Sequence, residues 1–181
     1  MLLLAIDTAT PQVAVARGDD GRVRGEIRLV GRRRHAEQLA PAIAYLCEQS
    51  RVRLEQLAAV AVGIGPGLFT GLRVGVTTAT VMAQTLRIPV VAVPSPDLVA
   101  ELAAGAEEVL LAGDGVEANR SHFAALERAE DAGAGFEAPS ATALVELATG
   151  RIEREEFTSP WSVQPMYLRA SDAELAWSGR R

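Results

Sequence analysis

Apolar positions are densely patterned up to about residue 94 and thinly patterned beyond it. Leu2–Ile6 is unbroken apolar, as in a strand buried on both faces. Asp7-Thr8-Ala9-Thr10-Pro11 interrupts it with turn chemistry, since Asp and Thr bond to nearby backbone and proline cannot donate to a ladder. Val13 and Val15 resume the strand, Asp19-Asp20-Gly21 is a hairpin turn, and Arg22–Val30 alternates as a third, antiparallel strand. From His35 to Gln49, Leu39, Ile43, Leu46 and Cys47 share one helical face; Pro41 lies inside and is expected to bend the helix. Leu54–Leu57 adds a helical turn. Ala58–Ile64 reads as a strand, Leu72–Leu86 as a helix and Ile88–Val93 as a fifth strand. This order of elements describes a mixed α/β lobe.

Past Pro94-Ser95-Pro96 the pattern predicts a helix over Asp97–Ala104 and a strand over Glu108–Gly113 ending in Gly113-Asp114-Gly115. Val116–Ala129 is helix-compatible. Ser140 is placed to cap a helix that runs through Thr149 and stops at Gly150, and Val163–Leu168 fits a last short strand.

Composition narrows the chemistry. With 49% hydrophobic and 23% charged residues over 181 positions, the chain has the profile of a soluble globular protein. Cys47 is the only cysteine, which excludes a disulfide framework and fits a reducing, cytoplasmic setting. The apolar start meets Asp7 too early for a signal segment, and no apolar run approaches a membrane span. Net charge is −5, so the chain as a whole does not present itself as a free-standing nucleic-acid binder. All 18 basic residues are arginines, seven of them between Arg17 and Arg34; Arg32-Arg33-Arg34 reads either as a solvated loop before a helix or as an electrostatic contribution to a ribonucleoprotein or an acidic partner.

The densest motif is Gly63-Ile64-Gly65-Pro66-Gly67-Leu68-Phe69-Thr70-Gly71-Leu72-Arg73-Val74-Gly75, between a strand and a helix. Such a turn can aim backbone N–H groups at an anion, or it can let two backbones approach closely. A Walker loop is excluded because the chain has no lysine, and the glycine spacing is a poor dinucleotide fingerprint. Asp7, Thr8 and Thr10 could position a hydrated metal and phosphates, or could form a plain turn. His35 and His122 are the only histidines and neither has a second ligand at metal spacing; the serines lack a nucleophile-elbow context. On the second helix Gly71, Gly75, Ala79 and Met82 recur at near i+4 spacing, giving a flat face of small residues.

Three segments taken together, Leu4-Ala5-Ile6-Asp7-Thr8-Ala9-Thr10, His35-Ala36-Glu37-Gln38-Leu39-Ala40-Pro41 and the glycine motif, resemble the TsaB family of tRNA threonylcarbamoyladenosine biosynthesis proteins, once grouped with glycoprotease-like peptidases. The resemblance is close to about Val93, and Gln164–Arg169 looks like the family's C-terminal signature. It implies an actin/Hsp70/sugar-kinase-like (ribonuclease H-like) fold, with a first lobe over 1–95 carrying the dimerisation helices and a reduced second lobe over 96–181. Only 97–105 stands where the family has further strands, so the second lobe is expected to be truncated.

By that resemblance the chain is a non-catalytic partner of a TsaD-type enzyme that threonylcarbamoylates the adenosine next to the tRNA anticodon. TsaD carries a His-X-X-X-His metal motif after its glycine loop; the matching region here, 94–101, has no histidine. The implied partner-binding residues are His35, Gln38, Leu39, Ala42 and Leu46 on the first helix, and Gly71, Leu72, Gly75, Ala79 and Met82 on the second. Asp7, Thr8, Thr10, Gly113 and Gly115 are a vestigial nucleotide site. No cofactor is assigned to this chain; ATP and a divalent metal are expected on the partner enzyme. The implied partners are the TsaD-type subunit, a TsaE-type ATPase through the complex, a second copy in isolation, and tRNA only within the complex, with no membrane. The rival readings are an autonomous ATP-binding enzyme of the same fold, which tight ATP binding by the isolated chain would favour, and, more weakly, a peptidase.

Overall fold

A computed structural model describes residues 1–31, 34–94, 109–111, 129–131 and 138–167. Three antiparallel strands open the chain: β1 (Leu2–Asp7), β2 (Gln12–Asp19) and β3 (Arg22–Val30). The β2–β3 hairpin turns on Asp20 and Gly21, both at positive φ (48° and 70°), the conformation that suits a two-residue hairpin to the strand twist. Helix α1 (His35–Gln49) continues through Pro41, and a 3-10 turn at Leu54–Gln56 leads to β4 (Ala59–Gly63). Helix α2 (Phe69–Leu86) and β5 (Val90–Val93) follow. The strands form one sheet in the order β3-β2-β1-β4-β5, antiparallel as far as β1 and parallel from β1 through β4 to β5.

Both faces of the sheet are covered, as the unbroken apolar run of β1 requires. Leu4, Ile6, Val13, Val15, Val60, Val62 and Val90 pack beneath α1 and α2. The alternate positions, mostly alanine (Ala5, Ala14, Ala16, Ala59, Ala61), lie under helix α3 (Ala141–Glu153) through Ala141, Leu144, Val145 and Ala148. Small residues on that face let α3 sit close: a β-carbon on Gly18 would stand 2.4 Å from Val145 Cγ1. A segment far along the chain thus completes the core of the first sheet, and the five-stranded unit draws on residues from both sides of the 95/96 boundary.

Several predicted details differ. Helix α2 begins at Phe69 rather than Leu72, with Leu68 in the N-cap position and no capping side chain. Its start is set by a tertiary bond, Leu68 N–H to Ala9 O at 2.7 Å, which local sequence does not advertise. Helix α3 passes through Gly150 to Glu153; Ser140 stands at its N-cap position, but its hydroxyl makes no capping bond and accepts instead from Arg28 Nη2 at 2.9 Å. Residues 163–167 form no strand. Instead, the longer segment 157–167 is held at two points, where Thr158 N–H donates to Val90 O at 2.8 Å and Met166 N–H to Ile64 O at 2.7 Å. Strand β6 (Val109–Leu111) falls within the predicted 108–113 strand and pairs in parallel with β7 (Ala129–Asp131). The residues of β7 carry no strand pattern and were not predicted as one. The expected helix over 97–104, all of the expected 116–129 helix but its last residue, and Gly113 and Gly115 lie outside the described residues, and Ala129 begins β7 instead of ending a helix.

Candidate functional site: the turn after β1 and the glycine loop

The turn that leaves β1 is enclosed by the glycine loop. Asp7 is 2% exposed; its Oδ1 accepts from Ala9 N–H at 3.0 Å, and its Oδ2 is buried with no hydrogen-bond partner. Burial pushes the Asp7 carboxyl up to about 7, opposed by the bond from Ala9. Gly63 lies so close that a β-carbon there would stand 2.0 Å from Oδ2. Farther along the loop, a β-carbon on Gly67 would meet Ala9 O at 2.3 Å, one on Gly71 would meet Thr8 O at 2.2 Å, and one on Gly75 would meet Thr8 Oγ1 at 2.2 Å. The Thr8 hydroxyl is buried and donates to Gly71 O at 2.7 Å. Of the two uses open to this motif, the glycines serve close approach, and the backbone they admit belongs to the chain's own β1 turn.

His35 joins the same knot from the start of α1. It is buried, and its Nε2 lies 2.7 Å from Thr10 O. A carbonyl only accepts, so Nε2 carries the proton. His35 therefore fixes α1 to the β1–β2 turn rather than facing a partner. The other residues expected at a docking face are likewise turned inward. Leu39, Ala42, Leu46 and Ala79 are buried in the core beneath α1 and α2. Gly71, Leu72 and Gly75 are buried, and Met82 is half-buried against the core. Gln38 is half-buried beside Gly31, with its Oε1 unpartnered. The stripe of small and apolar residues is the face the sheet itself needs, which is why it is periodic.

The resemblance to an actin-like fold implies a nucleotide site, of which the described residues hold Asp7, Thr8 and Thr10; the Oγ1 of Thr10, like Asp7 Oδ2, is buried without a hydrogen-bond partner. Asp7 turns no exposed oxygen outward, and the Leu68 N–H is already bonded to Ala9 O. Gly113 and Gly115, the other half of the expected site, lie outside the described residues. Among the described residues no group of three or more His, Cys, Asp or Glu side chains could hold a metal ion, and no helix is long and apolar enough to cross a membrane.

One side-chain cluster escaped sequence reasoning. Arg73 lies with its guanidinium carbon 4.0 Å from the Phe69 ring centroid, and its Nε donates to the Tyr167 hydroxyl at 3.0 Å. The Phe69 and Tyr167 rings are 4.8 Å apart. The glycine motif and the C-terminal signature had been singled out separately, and nothing in their spacing says that they touch.

A mixed sheet of this order, covered by helices on both faces and carrying its signature turn after the first strand, defines an α/β protein of the actin/Hsp70/sugar-kinase class. The sequence model described as TsaD: tRNA N6-adenosine threonylcarbamoyltransferase matches residues 28–135. An uncharacterized Mycobacterium tuberculosis protein is 43% identical over 99 residues, 54% of this chain and 47% of its own length. The tRNA threonylcarbamoyladenosine biosynthesis protein TsaB of Escherichia coli is 37% identical over 93 residues, 51% of this chain and 40% of its own length. The solved structure of YeaZ from Pseudomonas aeruginosa superposes with a TM-score of 0.75 at 26% identity, covering 92% of this chain and 99% of that one. The chain belongs to the TsaD family, in its TsaB branch. It spans less than half the length of the two curated relatives named here.

Proposed function

We propose that this chain is a non-catalytic partner subunit that binds and activates a TsaD-type enzyme in threonylcarbamoylation of the adenosine next to the tRNA anticodon. The observation that carries this reading is the outward side of the two helices whose inward stripe closes the core. Ala36, Ala40 and Ala44 recur at i+4 spacing on α1, beside exposed Pro41 and Tyr45, the latter 58% exposed. On α2 the outward positions are Thr70, Arg73, Thr77 and Val81, with Val81 54% exposed. A ridge of alanines flanked by larger apolar groups suits close helix-on-helix packing.

Docking there would bias the catalytic subunit toward its competent conformation, in proportion to the difference in affinity for its two states. ATP and the divalent metal are assigned to the catalytic subunit. A TsaE-type ATPase joins through the complex, tRNA is met only there, and the isolated chain pairs with a second copy through the same helices. Co-expression with the TsaD homologue of the same organism, followed by size-exclusion chromatography and a tRNA modification assay, is expected to give a complex whose activity depends on this chain. Full modification without it, or no complex, would sink the reading. Tight binding of metal-supplied ATP by the isolated chain would favour an autonomous enzyme instead.

A further inference from the structure

We infer that Arg73, braced by Phe69 and Tyr167, is the charged anchor of the partner interface and takes a carboxylate that the catalytic subunit presents from an otherwise apolar surface. The inference rests on the partner-subunit reading above. Segment 157–167 crosses from the edge strand β5 to the end of β4 and onto the N-terminal part of α2, through the bonds Thr158–Val90, Met166–Ile64 and Tyr167–Arg73. Along this segment and the glycine loop exposed apolar groups recur: Leu68, Phe157, Trp161, Met166 and Tyr167, with Trp161 81% exposed. Between them, Gly63–Gly75 and Phe157–Tyr167 carry a single charged side chain, Arg73, in a protein of net charge −5.

Aromatic residues, Met and Arg with few other charges are the composition of an interface centre. A lone cation there must be answered, because an apolar cover would strand it. Arg73 makes no ion pair among the described residues; its Nε is bound to Tyr167 and its guanidinium carbon lies over the Phe69 ring, which leaves its terminal nitrogens as a braced fork. Such a fork suits a carboxylate bidentately and loses little rotamer freedom on binding. Arg73 also stands on the same outward lane of α2 as Thr70, Thr77 and Val81, so the surface is continuous with the proposed helix face. A nucleic-acid strand would call for several cations along its phosphates, and Gly63–Gly75 and Phe157–Tyr167 offer one between them.

The test is the affinity of the full chain for the catalytic subunit at low and high salt, for wild type, Arg73→Met, Arg73→Lys and Tyr167→Phe. Arg73→Met keeps the stem and removes the charge; it is expected to weaken binding roughly tenfold or more and to flatten the salt dependence. Arg73→Lys should recover only part of the loss, because an ammonium cannot fork. Tyr167→Phe, which removes the brace but not the charge, should weaken binding a few-fold and keep the salt dependence. Unfolding midpoints, measured alongside, should match wild type. Wild-type affinity and salt dependence in Arg73→Met would overturn the inference. So would tRNA binding by the isolated chain that Arg73→Met abolishes while leaving the protein complex intact. Failure of the wild-type chain to bind the catalytic subunit would instead overturn the partner-subunit reading, and this inference with it.

Discussion

A β-carbon on Gly75 would stand 2.2 Å from the Thr8 hydroxyl, and that hydroxyl is held in place by its 2.7 Å bond to Gly71 O. Alanine at position 75 must therefore displace the hydroxyl, breaking its bond inside the core. Overpacking of this kind costs about 1–3 kcal/mol. The β-carbon of Thr8 is an ordinary 3.4 Å away, so removing the hydroxyl relieves the clash. We expect Gly75→Ala to cost substantially less in a Thr8→Ala background than in wild type. Gly71→Ala provides the contrast, because it meets the Thr8 backbone carbonyl at 2.2 Å, which no side-chain deletion can move. Urea denaturation of the single and double variants measures both couplings. Equal costs for Gly75→Ala in the two backgrounds would show that Thr8 is not what occupies the glycine's space.

Among the elements, the five strands of the main sheet and α1 were legible because their signals are local. The β2–β3 hairpin follows from Asp20-Gly21, and β1 from an apolar run that only a doubly covered sheet can bury. The face of each helix was harder to read. The same periodicity marks residues a sheet covers and residues a partner covers, so Leu39, Leu46, Gly71 and Gly75 were assigned outward although the sheet and the β1 turn claim them. The outward alanines of α1 give no comparable signal, since alanine is simply a good helix former. Nor could local pattern tell where α3 goes, because its destination is fixed by the alanine lane of three distant strands. Leu144, fully buried on that lane, tests the assignment. Leu144→Ala is expected to cost about 2–5 kcal/mol and to lower the stability of β1 amides by a similar amount in native-state hydrogen exchange. Unchanged protection of β1 would mean that α3 belongs to a separate folding unit.

For the molecule as a whole, the most informative variable is pH, because one buried group lies at the junction of β1, β4 and the turn that α1 and α2 both grip. The folded protein holds the Asp7 proton to about 7, whereas the ordinary value is 3.8. Between those values the folded state binds more protons than the unfolded state, so this group's contribution to stability is complete below pH 4 and is lost as pH rises to 7. The full swing is at most about 4 kcal/mol for a shift of this size. Other carboxylates titrate too, so the wild-type curve alone does not isolate Asp7. The difference from Asp7→Asn does, since asparagine keeps the shape, cannot ionise, and still offers an oxygen to Ala9 N–H. The variant is expected to gain stability relative to wild type as pH rises from 4 to 7, with a constant difference above that. Chemical denaturation of the two proteins across this range decides the matter. A difference independent of pH would show that Asp7 already ionises at its ordinary value, and that the loop around it is open enough to admit water.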